Sequence, residues 1–165
     1  MGLFDKLFGK KEEINPNHIY APMAGEAVAI SQVPDPTFAE GLLGNGIAIQ
    51  PTDGKVYAPV NGTVDTMFDT GHAVSLVSDN GIEILIHVGL ETVGLNGAPF
   101  QVKVKSGQKV KKGDLLMIAD LEAIKAAGLP TITPVLVCNS DDYTTFNTTT
   151  GKAVTNADVA IEVGK

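Results

Sequence analysis

From residue 18 onward the chain alternates short apolar runs with clusters of turn-forming residues. The runs fall at 27–30, 47–49, 56–60, 73–77, 82–88, 100–104, 115–119, 132–138 and 159–163, with Gly, Pro, Asn and Asp between them. Many short strands separated by frequent turn signals predict an all-β protein, an antiparallel β-sandwich or barrel with at most short helices. The one helical signal is Leu121–Ala127, enough for one or two turns.

The pattern also repeats. Tyr20-Ala21-Pro22-Met23-Ala24-Gly25-Glu26-Ala27 aligns with Tyr57-Ala58-Pro59-Val60-Asn61-Gly62-Thr63-Val64, each reading as strand, Pro bend, Gly turn, strand. Such an echo predicts two related halves packed on each other. A third turn segment, 104–114, resembles the hammerhead of biotinyl and lipoyl domains.

Residues 1–17 differ, and are read as a flexible tail ahead of one domain spanning 18–165. Leu3, Phe4, Leu7 and Phe8 share one helical face, with Lys6, Lys10 and Lys11 among the polar residues. A helix this short is marginal in water. Two readings stay open: an amphipathic helix on an anionic membrane surface, or a frayed, solvated tail. Myristoylation is not signalled, because position 6 is Lys rather than Ser or Thr.

Composition then removes whole classes of function. The chain has 165 residues, 44% of them hydrophobic, enough for a core without disulfides or structural metals. No apolar run is long enough to span a bilayer, and MGLFDKLFGKKEE lacks the apolar core of a secretion signal. Cys138 is the only cysteine, which suits the cytoplasm; it follows Val135-Leu136-Val137 and reads as a core residue. A net charge of −7 and a pI near 4.8 argue against nucleic acid. All 12 basic residues are Lys, none of them between Lys55 and Lys103. With no Arg, no GxxxxGK[ST] and no GxGxxG, nucleotide binding has no support.

The remaining chemistry lies in histidine. His18 sits in polar company and reads as a surface residue. His72 and His87 flank Ser78-Asp79-Asn80-Gly81, and Asn-Gly is a strong hairpin signal. A two-residue loop of Asn80 and Gly81 would put both histidines on one sheet face as diagonal neighbours. A four-residue loop would pair them directly, and a three-residue loop would put them on opposite faces. Gly71 and Gly89 adjoin the two imidazoles and leave their nitrogens accessible. Apolar neighbours Phe68, Val74, Leu85, Val88 and Leu90 favour neutral rings. The plain alternative is two histidines satisfied in the core or on the surface.

Two histidines do not complete a zinc site, though Glu91 is available as a third ligand. Hydrolysis would need an orienting carboxylate, for which Asp69 and Glu91 are unspecific candidates. Nucleophilic attack by one ring nitrogen on phosphorus, with the second histidine donating to the phosphoryl oxygens, is the third option. Two further function classes fit less well. A biotinyl- or lipoyl-type carrier needs a lysine in a Met-Lys-Met or Asp-Lys-Ala setting, which none of these lysines has. A lysostaphin-type zinc endopeptidase needs His-x-His and His-x-x-x-Asp, and neither occurs.

The stretch 68–76 through 84–93 (FDTGHAVSL and ILIHVGLETV) resembles the signature of glucose-type enzyme IIA. That family is the phosphocarrier of the bacterial phosphoenolpyruvate-dependent sugar phosphotransferase system. MGLFDKL, APMAGE, VPDPTFAE, GNGIAIQPTDGKVYAPVNGTV and GQKVKKGDLL match in order, so the resemblance covers essentially the whole chain. It implies the β-sandwich called the duplicated hybrid motif. It implies that His87 accepts the phosphoryl group through Nε2, and that His72 supports onward transfer. Thr70 would orient His72, and the Gly89 carbonyl would fix the His87 tautomer. The donor would be the phosphocarrier HPr, the acceptor a cysteine on the IIB domain of a glucose-type permease, with no obligatory cofactor.

The family docks its partners through an apolar face with acidic residues outside it. Phe38, Leu42, Leu43, Phe68 and Val93 are the apolar candidates here, Asp35 and Glu91 the acidic ones. The family commonly carries Asp where this chain has Glu91, which keeps the charge and lengthens the reach. In enteric relatives the unphosphorylated protein inhibits non-PTS sugar permeases and glycerol kinase, and the phosphorylated form stimulates adenylate cyclase. A zinc ion there is shared between the two histidines and a glycerol kinase carboxylate, which would make His72 and His87 conditional metal ligands. The implied location is cytoplasmic, peripheral at the inner face of the membrane only on the first of the two readings of the tail.

Overall fold

The computed structural model describes residues 14–165. The tail's amphipathic stretch therefore lies outside the described residues. Among them are fourteen strands: β1 His18–Tyr20, β2 Gly25–Ala29, β3 Asn45–Pro51, β4 Lys55–Tyr57, β5 Gly62–Met67, β6 Ala73–Ser78, β7 Glu83–His87, β8 Phe100–Val102, β9 Lys109–Val110, β10 Leu115–Ala119, β11 Thr133–Val137, β12 Thr145–Thr148, β13 Lys152–Val154 and β14 Val159–Gly164. Two short helices join them, α1 Pro36–Ala39 and α2 Leu121–Ala126. The fold is thus all-β and antiparallel, as the run pattern predicts, and α2 falls on the one helical signal.

An eight-stranded sheet runs β13-β2-β3-β11-β7-β6-β5-β9, and two three-stranded sheets run β1-β14-β12 and β4-β10-β8. The order is a palindrome about the β11–β7 seam. β2 and β3 on one side answer β5 and β6 on the other, and β1, β14, β12 answer β4, β10, β8. The sequence echo sits at the heart of this symmetry. Tyr20 N–H donates to the Pro59 carbonyl at 3.0 Å and Tyr57 N–H to the Pro22 carbonyl at 2.7 Å. Ala21 N–H donates to Asp158 and Ala58 N–H to Asp114, at 2.9 and 2.8 Å. Both aspartates close their own turn in the same way, accepting from Thr155 N–H and Lys111 N–H at 2.8 Å each.

Strand alternation sorts the large sheet into two faces. Ile47, Ile49, Val74, Leu76, Ile84, Ile86, Val135 and Val137 point inward to the main core, where they meet residues of the small sheets such as Val56, Met117 and Ile161. Fully burying one such side chain contributes about 1.5–3 kcal/mol. On the outer face a second cluster forms around Val28, Ala48 and Leu136, covered by Val33, Phe38 and Leu90. Central strand β11 is buried along its whole length.

The β6–β7 hairpin departs from the two-residue loop. Ser78 N–H donates to the Ile82 carbonyl at 2.9 Å, so the loop is Asp79-Asn80-Gly81, three residues, with Gly81 in the left-handed region at φ 93. The Ser78 hydroxyl locks the turn, donating to Asn80 Oδ1 at 2.7 Å while accepting from Ile82 N–H at 2.9 Å. Its register pairs Ala73 with His87 and Val74 with Ile86. Cys138 also departs from its reading: it lies just past the end of β11 and is exposed. His18 is half-covered, its Nε2 bonded to Glu162 Oε2 at 2.9 Å.

Candidate functional site

The odd hairpin loop should separate the two histidines, yet their ring centroids lie 5.0 Å apart at an interplanar angle of 79°. His87 ends β7 on the outer face, opposite Ala73. His72 precedes the first residue of β6 and does not follow the strand's alternation. Gly71, at φ 70, turns the chain just before it. That conformation is open to glycine at little cost, and a Cβ here would come within 2.9 Å of Phe100 Cβ. The turn delivers the His72 ring to the outer face. The juxtaposition expected from pleating therefore exists, but a glycine turn produces it.

Each ring is held through one nitrogen. The Gly89 carbonyl, 2.8 Å from His87 Nδ1, can only accept, so Nδ1 carries the proton and Nε2 is left bare. The Thr70 hydroxyl meets His72 Nδ1 at 2.5 Å. The Gly89 carbonyl is itself fixed. Gly89 has φ 74, and an added Cβ would meet Thr92 Cγ2 at 2.7 Å and the Pro130 carbonyl at 2.9 Å. The buried Thr92 hydroxyl donates to Val88 O at 2.6 Å, and Leu90 N–H donates to Pro130 O at 3.1 Å. Thr92 was not legible as a site residue, because a hydroxyl four residues from the carbonyl it caps has no sequence signature.

The imidazoles share an open cleft of about 400 Å³ with Asp35, Thr37, Phe38, Leu43, Phe68, Ala73, Leu85 and Glu91. A larger cavity of about 850 Å³ lies by the hairpin tip at Asp79, among Lys109, Lys111 and Lys112, and holds neither histidine. In the His cleft, Phe68 meets His72 edge-on at 5.5 Å and Phe38 tilts over His87 at 5.0 Å. Burial, then the charge of His87, pushes the His72 pKa down to about 4. Burial also lowers that of His87, against the Gly89 bond and the negative charge of Asp35. Both shifts favour the neutral ring.

The predicted docking residues divide. Leu42 is 70% and Val93 50% exposed, and Leu43 and Phe68 are also exposed, forming an apolar rim. Phe38 is different: at 5% exposure it packs on His87 and into the outer cluster. Val102, exposed beside Gly71, extends the rim and was missed because it sits in a short strand pattern. Asp35 caps α1, accepting from Thr37 N–H at 3.0 Å, and Glu91 lines the cleft in the left-handed conformation, φ 59. Among the described residues no three His, Cys, Asp or Glu side chains converge on a metal position, so Glu91 does not complete a zinc site with the histidines. No helix among them is long and apolar enough to cross a membrane.

Comparison with known proteins places this architecture. The family described as the phosphoenolpyruvate-dependent sugar phosphotransferase system, EIIA 1, matches residues 17–143. The glucose-specific EIIA component of Staphylococcus epidermidis is 43% identical over 160 residues, covering 96% of each chain. That of Bacillus cereus is 44% identical over 159 residues, again 96% of each. Among solved structures, glucose permease IIA from Mycoplasma capricolum superposes with a TM-score of 0.80 at 32% identity, over 87% of this chain and 94% of that one. With its β-sandwich, its sequence and its relatives agreeing, this chain belongs to the EIIA 1 family of the sugar phosphotransferase system and is a phosphotransferase component that carries a phosphoryl group.

Proposed function

We propose that His87 is the residue that carries the phosphoryl group, taking it from phospho-HPr through Nε2 and passing it to a cysteine on the IIB domain of a glucose-type permease. The observation that carries this reading is the Nδ1–H bond to the Gly89 carbonyl, which leaves a bare Nε2 in an open cleft beside a second imidazole. Nε2 attacks phosphorus as the P–N bond of the donor phosphohistidine breaks, and that bond's electron pair returns to the donor ring. Each ring keeps the proton on its other nitrogen, so only the phosphoryl group moves. With its Nδ1 accepting from the Thr70 hydroxyl, His72 presents Nε2–H to the phosphoryl oxygens. Hydrogen bonds to a charged group contribute about 1.5–3 kcal/mol, roughly 10- to 100-fold in rate where they strengthen in the transition state.

The test is reconstitution with phosphoenolpyruvate, enzyme I and HPr, read by intact mass. His87→Gln takes up no phosphate. His72→Gln is phosphorylated but fails to pass the group on. Stoichiometric labelling of His87→Gln ends the assignment.

The apolar rim of Leu42, Leu43, Phe68 and Val93 is the surface on which both partners dock, and Asp35 and Glu91 steer basic partner surfaces toward it. Regulation of glycerol kinase, non-PTS permeases and adenylate cyclase and a cytoplasmic location belong to the same proposal through the resemblance; contact of residues 1–17 with an anionic membrane rests on their apolar and lysine pattern and stays one of two open readings. Zinc ligation would need the other His72 tautomer, with Nδ1–H donating to the Thr70 oxygen and Nε2 bare as it is on His87. A partner would have to supply the remaining ligands.

A further inference from the structure

Among the described residues, the cleft assigned to a phosphoryl dianion has no Lys or Arg in its lining. Its lining is apolar apart from Thr37, the two neutral imidazoles and two carboxylates, Asp35 and Glu91. Both carboxylates are held there by local structure. Asp35 is the N-cap of α1, three residues before the Phe38 that tilts over His87. Its field is felt at the His87 ring, where it favours positive charge. Glu91 occupies a left-handed conformation that disfavours any residue but Gly, Asn or Asp. A strained non-glycine residue at a site rim points to a task for its side chain.

We propose that Asp35 and Glu91 set the phosphoryl-transfer potential of His87: their negative charge destabilises the phosphorylated state, so that the group leaves readily and free phosphate gains no foothold. This rests on the reading that His87 carries the phosphoryl group. Docking and tuning are separable in principle. A residue that only helps a partner dock changes how fast transfer reaches equilibrium. It cannot change the equilibrium itself, because the docked complex appears on neither side of the balance. A carboxylate that repels the bound phosphoryl group changes the equilibrium directly. Across a partly solvated cleft, a carboxylate and a phosphoryl dianion about 6–10 Å apart repel enough to shift the balance roughly three- to thirtyfold.

The measurement is the equilibrium ratio of phosphorylated to free protein at a fixed ratio of phospho-HPr to HPr, read by intact mass. Asp35→Asn keeps the helix cap, since Asn caps as well as Asp, and removes only the charge. Glu91→Gln keeps the shape likewise. Each raises the phosphorylated fraction constant about three- to thirtyfold, the double variant raises it further, and the gain shrinks between about 0.05 and 0.5 M salt as screening sets in. Slower approach to equilibrium with an unchanged ratio, within about twofold in both variants, overturns the proposal and leaves only docking. Failure of the unmodified protein to take phosphate on His87 is a different result, and removes the underlying reading instead.

Discussion

Replacing Gly89 by Ala tests how the acceptor nitrogen is aimed. At φ 74 an L side chain costs about 1–2 kcal/mol relative to Gly. The new Cβ would also sit 2.7 Å from Thr92 Cγ2 and 2.9 Å from the Pro130 carbonyl, and neither is the free end of a flexible chain. Overpacking of this kind adds about 1–3 kcal/mol. The expected loss is therefore about 2–5 kcal/mol by urea unfolding. Gly81→Ala is the control, because it is also left-handed, at φ 93, but has nothing within 4 Å. It should lose only about 1–2 kcal/mol. Function separates them further. Relief of the clash moves the Gly89 carbonyl away from His87 Nδ1, freeing the ring to place its proton on Nε2. Phosphorylation by phospho-HPr should then fall at least tenfold in Gly89→Ala and stay normal in Gly81→Ala. Equal stability of the two variants together with normal phosphorylation of Gly89→Ala would refute the reasoning.

Other outcomes follow from the same geometry. Both imidazoles are held below their ordinary pKa, so the unfolded chain binds protons more readily. Stability is full above pH 6.5 and declines as pH falls. The His72 share, about 1–3 kcal/mol after solvent screening, is exhausted near pH 4. Urea midpoints across pH 4–7 should flatten in His72→Gln, and an unchanged slope would count against it. Phe38→Ala removes the ring over His87, costs about 3–5 kcal/mol and lets the His87 pKa climb toward 6.5 in an NMR titration. Asp120→Ala deletes the α2 cap that accepts from Ala123 N–H at 3.1 Å, lowering stability by about 1 kcal/mol without altering phosphorylation.

Much of this was legible from local pattern. Runs such as 115–119 became strands because apolar residues bounded by turn formers leave few other options, and β10 matches that run end to end. The Tyr-Ala-Pro echo became a hydrogen-bonded symmetry element. What escaped depends on tertiary context. Strands β12 (Thr-Phe-Asn-Thr) and β13 (Lys-Ala-Val) hold one large apolar residue each, Phe146 and Val154, with no apolar run to mark them. Helix α1 is four residues long, too short for periodicity, and so Phe38 read as a surface group until the helix folded it onto His87. Hairpin register stays open in the sequence, because loop length decides it: Asn80 does not adopt the left-handed conformation that a two-residue Asn-Gly turn requires, and only Gly81 does. Cys138 was assigned to the core from its neighbours, but the strand ends one residue earlier.

The palindromic sheet has a consequence for how such a centre is inherited. In one half the link from β5 to β6 is short and ends in His72. In the other, the matching link from β2 to β3 is the longer segment 30–44, which brings Phe38 over His87 and Asp35 into the cleft. One copy supplies the reactive rings and its sibling the roof and the charge. Neither half alone contains a working centre, so a change in one is tolerated only where the other accommodates it.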